Sequence, residues 1–249
     1  MSVPTRTRLG AALLALGALT ACGGGGDTPP QASATPAPSS AAPSASPSAS
    51  PSEDDRFFET FDNNDNDWPT RREPDGTELA VTDGEYQVTL TAGSIRYIRP
   101  AALASREDVR SGVSVTAKVQ VLEGEQYAFG IGCRMSPTDK QYYVGRLFQD
   151  GTSAIIRRSK GDPERILRSS RANPLDINPG RPIQLVMFCG EKDGAMDLTL
   201  TVNGEVAVQA EDPEPLPENP PGIYVVAGLN TPTSGFAYDD ILVSPYTPE

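Results

Sequence analysis

Histidine is absent from all 249 residues of this chain. Without an imidazole there is no Ser-His-Asp or Cys-His nucleophile, no His-ligated zinc and no histidine general base. Catalysis would have to run on carboxylates, tyrosine or lysine, which narrows it chiefly to glycoside chemistry. Tryptophan occurs once, at Trp68, and cysteine three times, at Cys22, Cys133 and Cys189. No apolar run reaches the roughly 20 residues that a membrane-spanning helix needs. Basic side chains are in deficit, 21 against 33 acids, giving a net charge of −12. That field repels nucleic acid and anionic lipid headgroups, so neither a nucleic-acid partner nor a basic membrane patch is expected.

What is present begins at the N-terminus. Arg6 and Arg8 precede a stretch of small and apolar residues, Leu9 to Ala21, which has the length of a signal-peptide h-region. It ends in Leu19-Thr20-Ala21-Cys22, which resembles the bacterial lipobox, [Leu/Val/Ile]-[Ala/Ser/Thr]-[Gly/Ala]-Cys. The resemblance implies that residues 1–21 are removed and that Cys22 carries a diacylglycerol as the first residue of the mature protein. The competing reading is an ordinary secretory signal with an accidental cysteine. Cleavage takes away two arginines and no acid, leaving a net charge of −14. Attachment to the extracytoplasmic face of the cell membrane would then rest on two acyl chains, at ~0.8 kcal/mol per buried methylene.

Residues 22–52 are a different material: Gly23-Gly24-Gly25-Gly26, then Pro, Ala, Ser and Thr up to Ser52. No aromatic or large aliphatic side chain is available to offset the entropy of ordering, so this segment is expected to be a disordered tether. Thirty such residues span roughly 30 Å as a coil and ~90 Å as polyproline II. A spacer through the cell wall and a neutral linker would look alike here.

Residues 53–249 are expected to form one domain of about 195 residues, enough for a sizeable core. Their period is two. Val113, Val115, Ala117, Val119 and Val121 alternate with polar residues, as do Met196, Leu198, Leu200 and Val202. Tyr127, Phe129, Ile131, Cys133 and Met135 share a parity, and so do Ile183, Leu185, Met187 and Cys189. These patterns predict half-buried antiparallel strands. Asn203-Gly204 and Asp150-Gly151 stand between such runs as hairpin signals. No stretch has a helical pattern, so the fold class is all-β, a two-sheet antiparallel sandwich. Cys133 and Cys189 are read as a disulfide of an exported domain, two buried thiols being the alternative.

Several stretches together resemble the concanavalin A-like jelly rolls of bacterial surface proteins, in particular the group labelled with glucanase-like and 3-keto-disaccharide hydrolase domains. The opening Phe58-Glu59-Thr60-Phe61-Asp62 with Trp68, and Asp83-Gly84-Glu85-Tyr86, match its first strands. Tyr127-Ala128-Phe129-Gly130-Ile131-Gly132-Cys133-Arg134 with Gln141-Tyr142-Tyr143 matches its central pair. Leu200-Thr201-Val202-Asn203-Gly204-Glu205 and Ala237-Tyr238-Asp239-Asp240-Ile241-Leu242-Val243 match its late hairpin and closing strand. Where the group has Asp-Asn before the tyrosines, this chain has Lys140-Gln141. The resemblance implies a jelly roll used mainly to bind sugars or other surface partners.

Candidate sites follow from these residues. Enzymes of this fold carry two strand carboxylates about 5–5.5 Å apart. The nearest string, Glu191-Lys192-Asp193-Gly194, lacks the third acid and reads as a turn, so no catalytic residue is assigned. The run Asp62 to Asp67 is dense in oxygen ligands but lacks the glycine and distal glutamate of a calcium loop; it reads as a turn-forming loop. The resemblance implies another possible structural calcium site, where first and last strands meet, with Glu59, Asp62 and Asp239 as ligands. The alternative for Asp239 is a backbone contact at a strand end. No other cofactor is expected. On the face of the central strand opposite its apolar side, Gln126, Ala128, Gly130, Gly132 and Arg134 leave room for a ligand. Tyr142, Tyr143 and Arg146 would stack on and hydrogen-bond to a sugar, with Trp68 as a platform. The leading expectation is a non-catalytic module that binds glycan or another envelope component. A carboxylate-dependent glycoside-active enzyme comes second, and a protein-interaction module third.

Overall fold

The computed structural model describes residues 56–109, 112–171, 174–228 and 232–246. The expected signal segment, Cys22 and the expected tether lie outside the described residues. Fifteen strands and one short helix are described: β1 (Phe57–Glu59), β2 (Arg71–Arg72), β3 (Glu78–Thr82), β4 (Glu85–Thr91), β5 (Ile95–Ile98), α1 (Ala101–Ala104), β6 (Val113–Glu123), β7 (Tyr127–Ser136), β8 (Gln141–Phe148), β9 (Ser153–Arg158), β10 (Arg165–Ser170), β11 (Ile183–Lys192), β12 (Ala195–Val202), β13 (Glu205–Asp212), β14 (Gly222–Ala227) and β15 (Thr233–Pro245). They form two antiparallel sheets. One runs β13-β12-β11-β6-β15-β4-β3-β2, with β1 also paired to β15, and the other runs β10-β9-β8-β7-β14-β5. This is the two-sheet sandwich that the period-two pattern predicts and the jelly roll that the resemblance implies.

The predicted inward residues build the core. Val113, Val115, Ala117, Val119 and Val121 of β6 meet Ile183, Leu185, Met187 and Cys189 of β11 across the sheet and pack against Phe129, Ile131 and Cys133 of β7 from the other sheet. Cys133 and Cys189 are bonded, and their Cα atoms stand 6.5 Å apart. Because β7 and β11 belong to different sheets, the bridge ties the two layers together.

The turn signals act through backbone conformation. Asn203 and Gly204 have φ of 52° and 83°, and Asp193 and Gly194 have 52° and 81°; two consecutive left-handed residues make the tight turn whose twist suits a hairpin. The string from Glu191 to Gly194 is therefore the hairpin end of β11–β12, as its turn reading expects.

Two bulges alter the parity. The β7–β8 register shifts between Cys133 and Ser136, and Arg134 there has φ of 49°. An extra residue in one strand reverses the faces beyond it. Met135, expected beside Cys133, instead lies on the outer face with Tyr142 and Val144. The β6–β15 register likewise shifts between Asp239 and Leu242. Phe236 and Tyr238 point inward before it, and Ile241 and Val243 after it.

Candidate functional site

The outer face of the six-stranded sheet carries its own cluster: Met135, Tyr142, Val144, Ala154, Ile156 and Tyr224, with Tyr97, Phe148 and Val226 against it. The reason is a row of side chains across three strands. In the ladder Gly130 of β7 lies between Arg146 of β8 and Tyr224 of β14. With no side chain at Gly130, the Arg146 guanidinium crosses the gap and lies 4.4 Å from the centre of the Tyr224 ring, a cation–π contact. A Cβ at Gly130 would come within 2.1 Å of the Gly145 carbonyl oxygen, and one at Gly132 within 2.2 Å of the Tyr143 carbonyl oxygen. Strand-interior glycine here serves close approach of backbone. Tyr97, opposite Tyr224 on β5, completes a group of three rings, its centre 4.7 Å from Tyr142 and 5.2 Å from Tyr224.

One carboxylate organises the polar atoms. Glu164 comes from the β9–β10 connection. Its Oε1 accepts from the Tyr142 hydroxyl at 2.5 Å, from Arg146 Nη2 at 2.8 Å and from the Tyr224 hydroxyl at 3.0 Å. Tyr142 spends its proton on Glu164, so at the 2.9 Å contact between the Tyr97 and Tyr142 hydroxyls Tyr97 is the donor. Arg146 also donates to the Tyr224 hydroxyl. Burial pushes Tyr142, Tyr224 and Tyr97 up from the ordinary phenol value, so all three stay protonated donors. Burial would raise Glu164 too, but the hydrogen bond and charge of Arg146 outweigh it and hold the carboxyl below its ordinary value. The site is thus neutral phenol donors and a guanidinium facing an ionised carboxylate.

The expected ligand residues divide. Tyr142 and Arg146 meet at this face. Tyr143 does not: it is fully buried on the inner face and donates to Asp212 Oδ2 at 2.5 Å. Burial first, then the bond to that carboxylate, pushes its hydroxyl up to about 12. Arg134 is turned inward by the bulge; 3 % exposed, it donates to the Leu216 carbonyl and, at 2.9 Å, to Glu191 Oε2. Trp68 is 2 % exposed and packs on Phe61 and Tyr86, so it is a core residue and not a platform.

The expected calcium ligands do not gather. Glu59 is buried and already filled: Oε1 accepts from the Phe61 amide at 2.8 Å, and Oε2 from Asn66 Nδ2 and Trp68 Nε1, each at 2.9 Å. Asp62 is exposed and accepts from the Thr60 hydroxyl. Asp239, expected to face inward, sits half-buried at the bulge and accepts from the Asp240 amide at 2.7 Å. Among the described residues no three acids or cysteines cluster as metal ligands, and the oxygens of Glu59 already accept from three N–H donors.

Tyr97, Tyr224 and Glu164 were not legible as site residues. Tyr224 stands in an apolar run and Glu164 follows a proline in what reads as a solvated connection. Only the place of Tyr224 between inward Ile223 and Val225 hinted at an outer face.

No protein-family profile matches the chain, and no curated protein matches it in sequence. Solved structures do resemble it in fold. A carbohydrate-binding module, CBM66 from Bacillus subtilis, superposes with a TM-score of 0.50 at 13 % identity, over 75 % of this chain and 94 % of that one. A β-glucanase of Bacillus licheniformis gives 0.52 at 11 %, over 78 % and 100 %. A native glycosidic hydrolase gives 0.53 at 10 %, over 78 % and 97 %. At such identities the likeness is one of fold: the chain shares the concanavalin A-like jelly roll of glucanases and carbohydrate-binding modules.

Proposed function

We propose that this chain is a lipid-anchored envelope protein whose sandwich binds a glycan or another cell-envelope component, without catalysis, at the outer face of the six-stranded sheet. The observation that carries this reading is the convergence of three tyrosines, Arg146 and Glu164 on that face. Tyr142 and Tyr224 are buried and hold the polar atoms in place, while Tyr97 is half-buried; an aromatic ring beside fixed donors and acceptors is what recognition of a polar ring with apolar faces requires. Neighbours of the same fold whose names declare carbohydrate binding or glucan hydrolysis support it.

A glycoside-active enzyme is the weaker reading. It needs two carboxyl groups, roughly 5–5.5 Å apart for retention or 6.5–9.5 Å for inversion. The carboxylate held by this cluster is Glu164 alone, and Arg146 keeps it ionised, without a proton to give a leaving group. The test is a glycan array probed with the domain from residue 53 onward, alongside assays for released sugar. Selective binding without release is expected. Release of reducing sugar would move the assignment to an enzyme; an empty array at near-millimolar protein would move it to a protein-interaction module. The anchor is tested separately: Cys22→Ser has no thiol to accept diacylglycerol, so it should lose a lipid label and leave the membrane fraction. Retention through a carbonate wash would refute the anchor.

A further inference from the structure

The β9–β10 hairpin is the basic exception in an acidic chain. Six of the 21 lysines and arginines fall within residues 157–171: Arg157, Arg158, Lys160, Arg165, Arg168 and Arg171. Only two acids, Asp162 and Glu164, accompany them, so this segment is +4 in a chain of net −12. Lys160, Arg165, Arg168 and Arg171 are exposed. Of the six, Lys160 is paired with Asp139, and Arg157 and Arg165 share Asp212, so six cations face the segment's own two acids and two further carboxylates, and the excess is positive. Beside them Arg146, 7 % exposed, and Arg158 each bury an Nε that finds no acceptor. A cleft of about 360 Å³ opens on the hairpin itself between Arg157, Ser159, Asp162, Pro163, Glu164 and Arg165, and it adjoins the tyrosine cluster only through Glu164.

The placing of Glu164 is the second observation. Three donors from three different side chains converge on one oxygen of this carboxylate. Two of the donors, Tyr142 and Tyr224, lie on sheet strands at 1 % and 0 % exposure, while Glu164 arrives on the connection between two strands, its side chain 28 % exposed. The donors sit on paired strands of the sheet, and the occupant is attached to the more exposed segment. Such a receptor does not distinguish its own carboxylate from one of the same geometry on a ligand.

We propose that the outer face is a carboxylate receptor for an acidic glycan, a uronate, whose carboxylate takes the place of Glu164 on Tyr142, Arg146 and Tyr224 while its sugar ring lies along Tyr97. Glu164 is then an internal competitor, and the basic hairpin steers the polyanion to this face. This names the ligand class of the binding site proposed above and rests on that reading. A uronate favours this face over a neutral sugar because a guanidinium and two phenol donors aimed at one oxygen match a carboxylate better than any hydroxyl.

Isothermal titration with tri-galacturonate, and with the same trisaccharide reduced at its carboxyl groups, tests the inference on the native domain and on Glu164→Ala and Glu164→Gln. The uronate is expected to bind, the reduced sugar to bind at least tenfold more weakly, and Glu164→Ala to tighten uronate binding about tenfold by removing the competitor. Glu164→Gln, which keeps the shape and loses the charge, should lie between; a thermal melt of each variant verifies that it is folded. Arg146→Gln should abolish the preference for uronate over reduced sugar. Equal binding of both sugars would overturn the carboxylate receptor and leave glycan binding standing. Weaker uronate binding by a folded Glu164→Ala would make Glu164 a partner of the ligand and overturn the competitor. Binding of neither sugar to any of the folded variants would overturn the acidic-glycan assignment, and the array above then decides whether any glycan binds.

Discussion

Single carboxylates in this protein do opposite work depending on what faces them. Glu59 is 4 % exposed and satisfies three N–H groups of the opening loop. Glu59→Ala would leave those donors in a dry environment, and each buried unsatisfied donor costs about 1–3 kcal/mol. A loss of roughly 3 kcal/mol or more is therefore expected in urea unfolding; a loss below about 0.5 kcal/mol would show that water replaces the carboxylate. Glu164 is ionised and held by Arg146, with its folded pKa below the ordinary 4.5. A depressed carboxyl contributes stability above its ordinary value, and that contribution is lost as pH falls through the folded value. The stability gap between the native protein and Glu164→Gln should therefore be constant from about pH 8 to 5 and shrink below about pH 4. A gap that grows on acidification would contradict the pairing with Arg146.

At the scale of the strand, small residues and bulges decide what each face can hold. Gly130 leaves the groove through which Arg146 reaches Tyr224. Gly130→Ala places a methyl against the Gly145 carbonyl, which is backbone and cannot rotate away. Overpacking of this kind costs roughly 1–3 kcal/mol, so a clear fall in the midpoint of urea unfolding is expected, with an unchanged slope. An alanine tolerated without loss would mean that the sheet relaxes there. The bulge at Arg134 has the converse effect. It directs a charged side chain into the seam between sheets, where Glu191 and the Leu216 carbonyl receive it, and sends Met135 outward to cover the face over Gly132 and Gly222.

For the whole molecule, the bond between Cys133 and Cys189 spans 56 positions of sequence and crosses from one sheet to the other. Closing such a loop in the unfolded chain stabilises the fold by about 4 kcal/mol in the chain-entropy account. The Cys133→Ala, Cys189→Ala double variant should lose stability on that scale, and unreduced digests should contain one linked peptide pair two mass units below the dithiol. Quantitative alkylation of both thiols without reductant would refute the bridge. Much of this architecture was legible beforehand. Alternation of apolar and polar residues is a property of neighbouring positions, so β6, β11 and β12 and their inward residues could be read directly, and Asn203-Gly204 carries its turn in its own backbone preference. Cys133 and Cys189 fell on inward parities for the same reason. The site was not legible, because it depends on contacts between distant residues. Tyr97, Tyr142, Glu164 and Tyr224 meet only once β5, β14, β7 and β8 are paired and the β9–β10 connection folds over them. Trp68 looks like a platform in sequence because nothing local to it records that Glu59 and Tyr86 enclose it. The bulges at Arg134 and Asp239 reversed expectations for the same cause: an extra residue in a ladder is set by the register with partner strands, and one strand's pattern does not contain its partner's. Sequence by itself determined the all-β class, the strands and the inward cysteines; tertiary pairing alone decided which side chains meet, since strand order and register are settled by burial summed over both sheets.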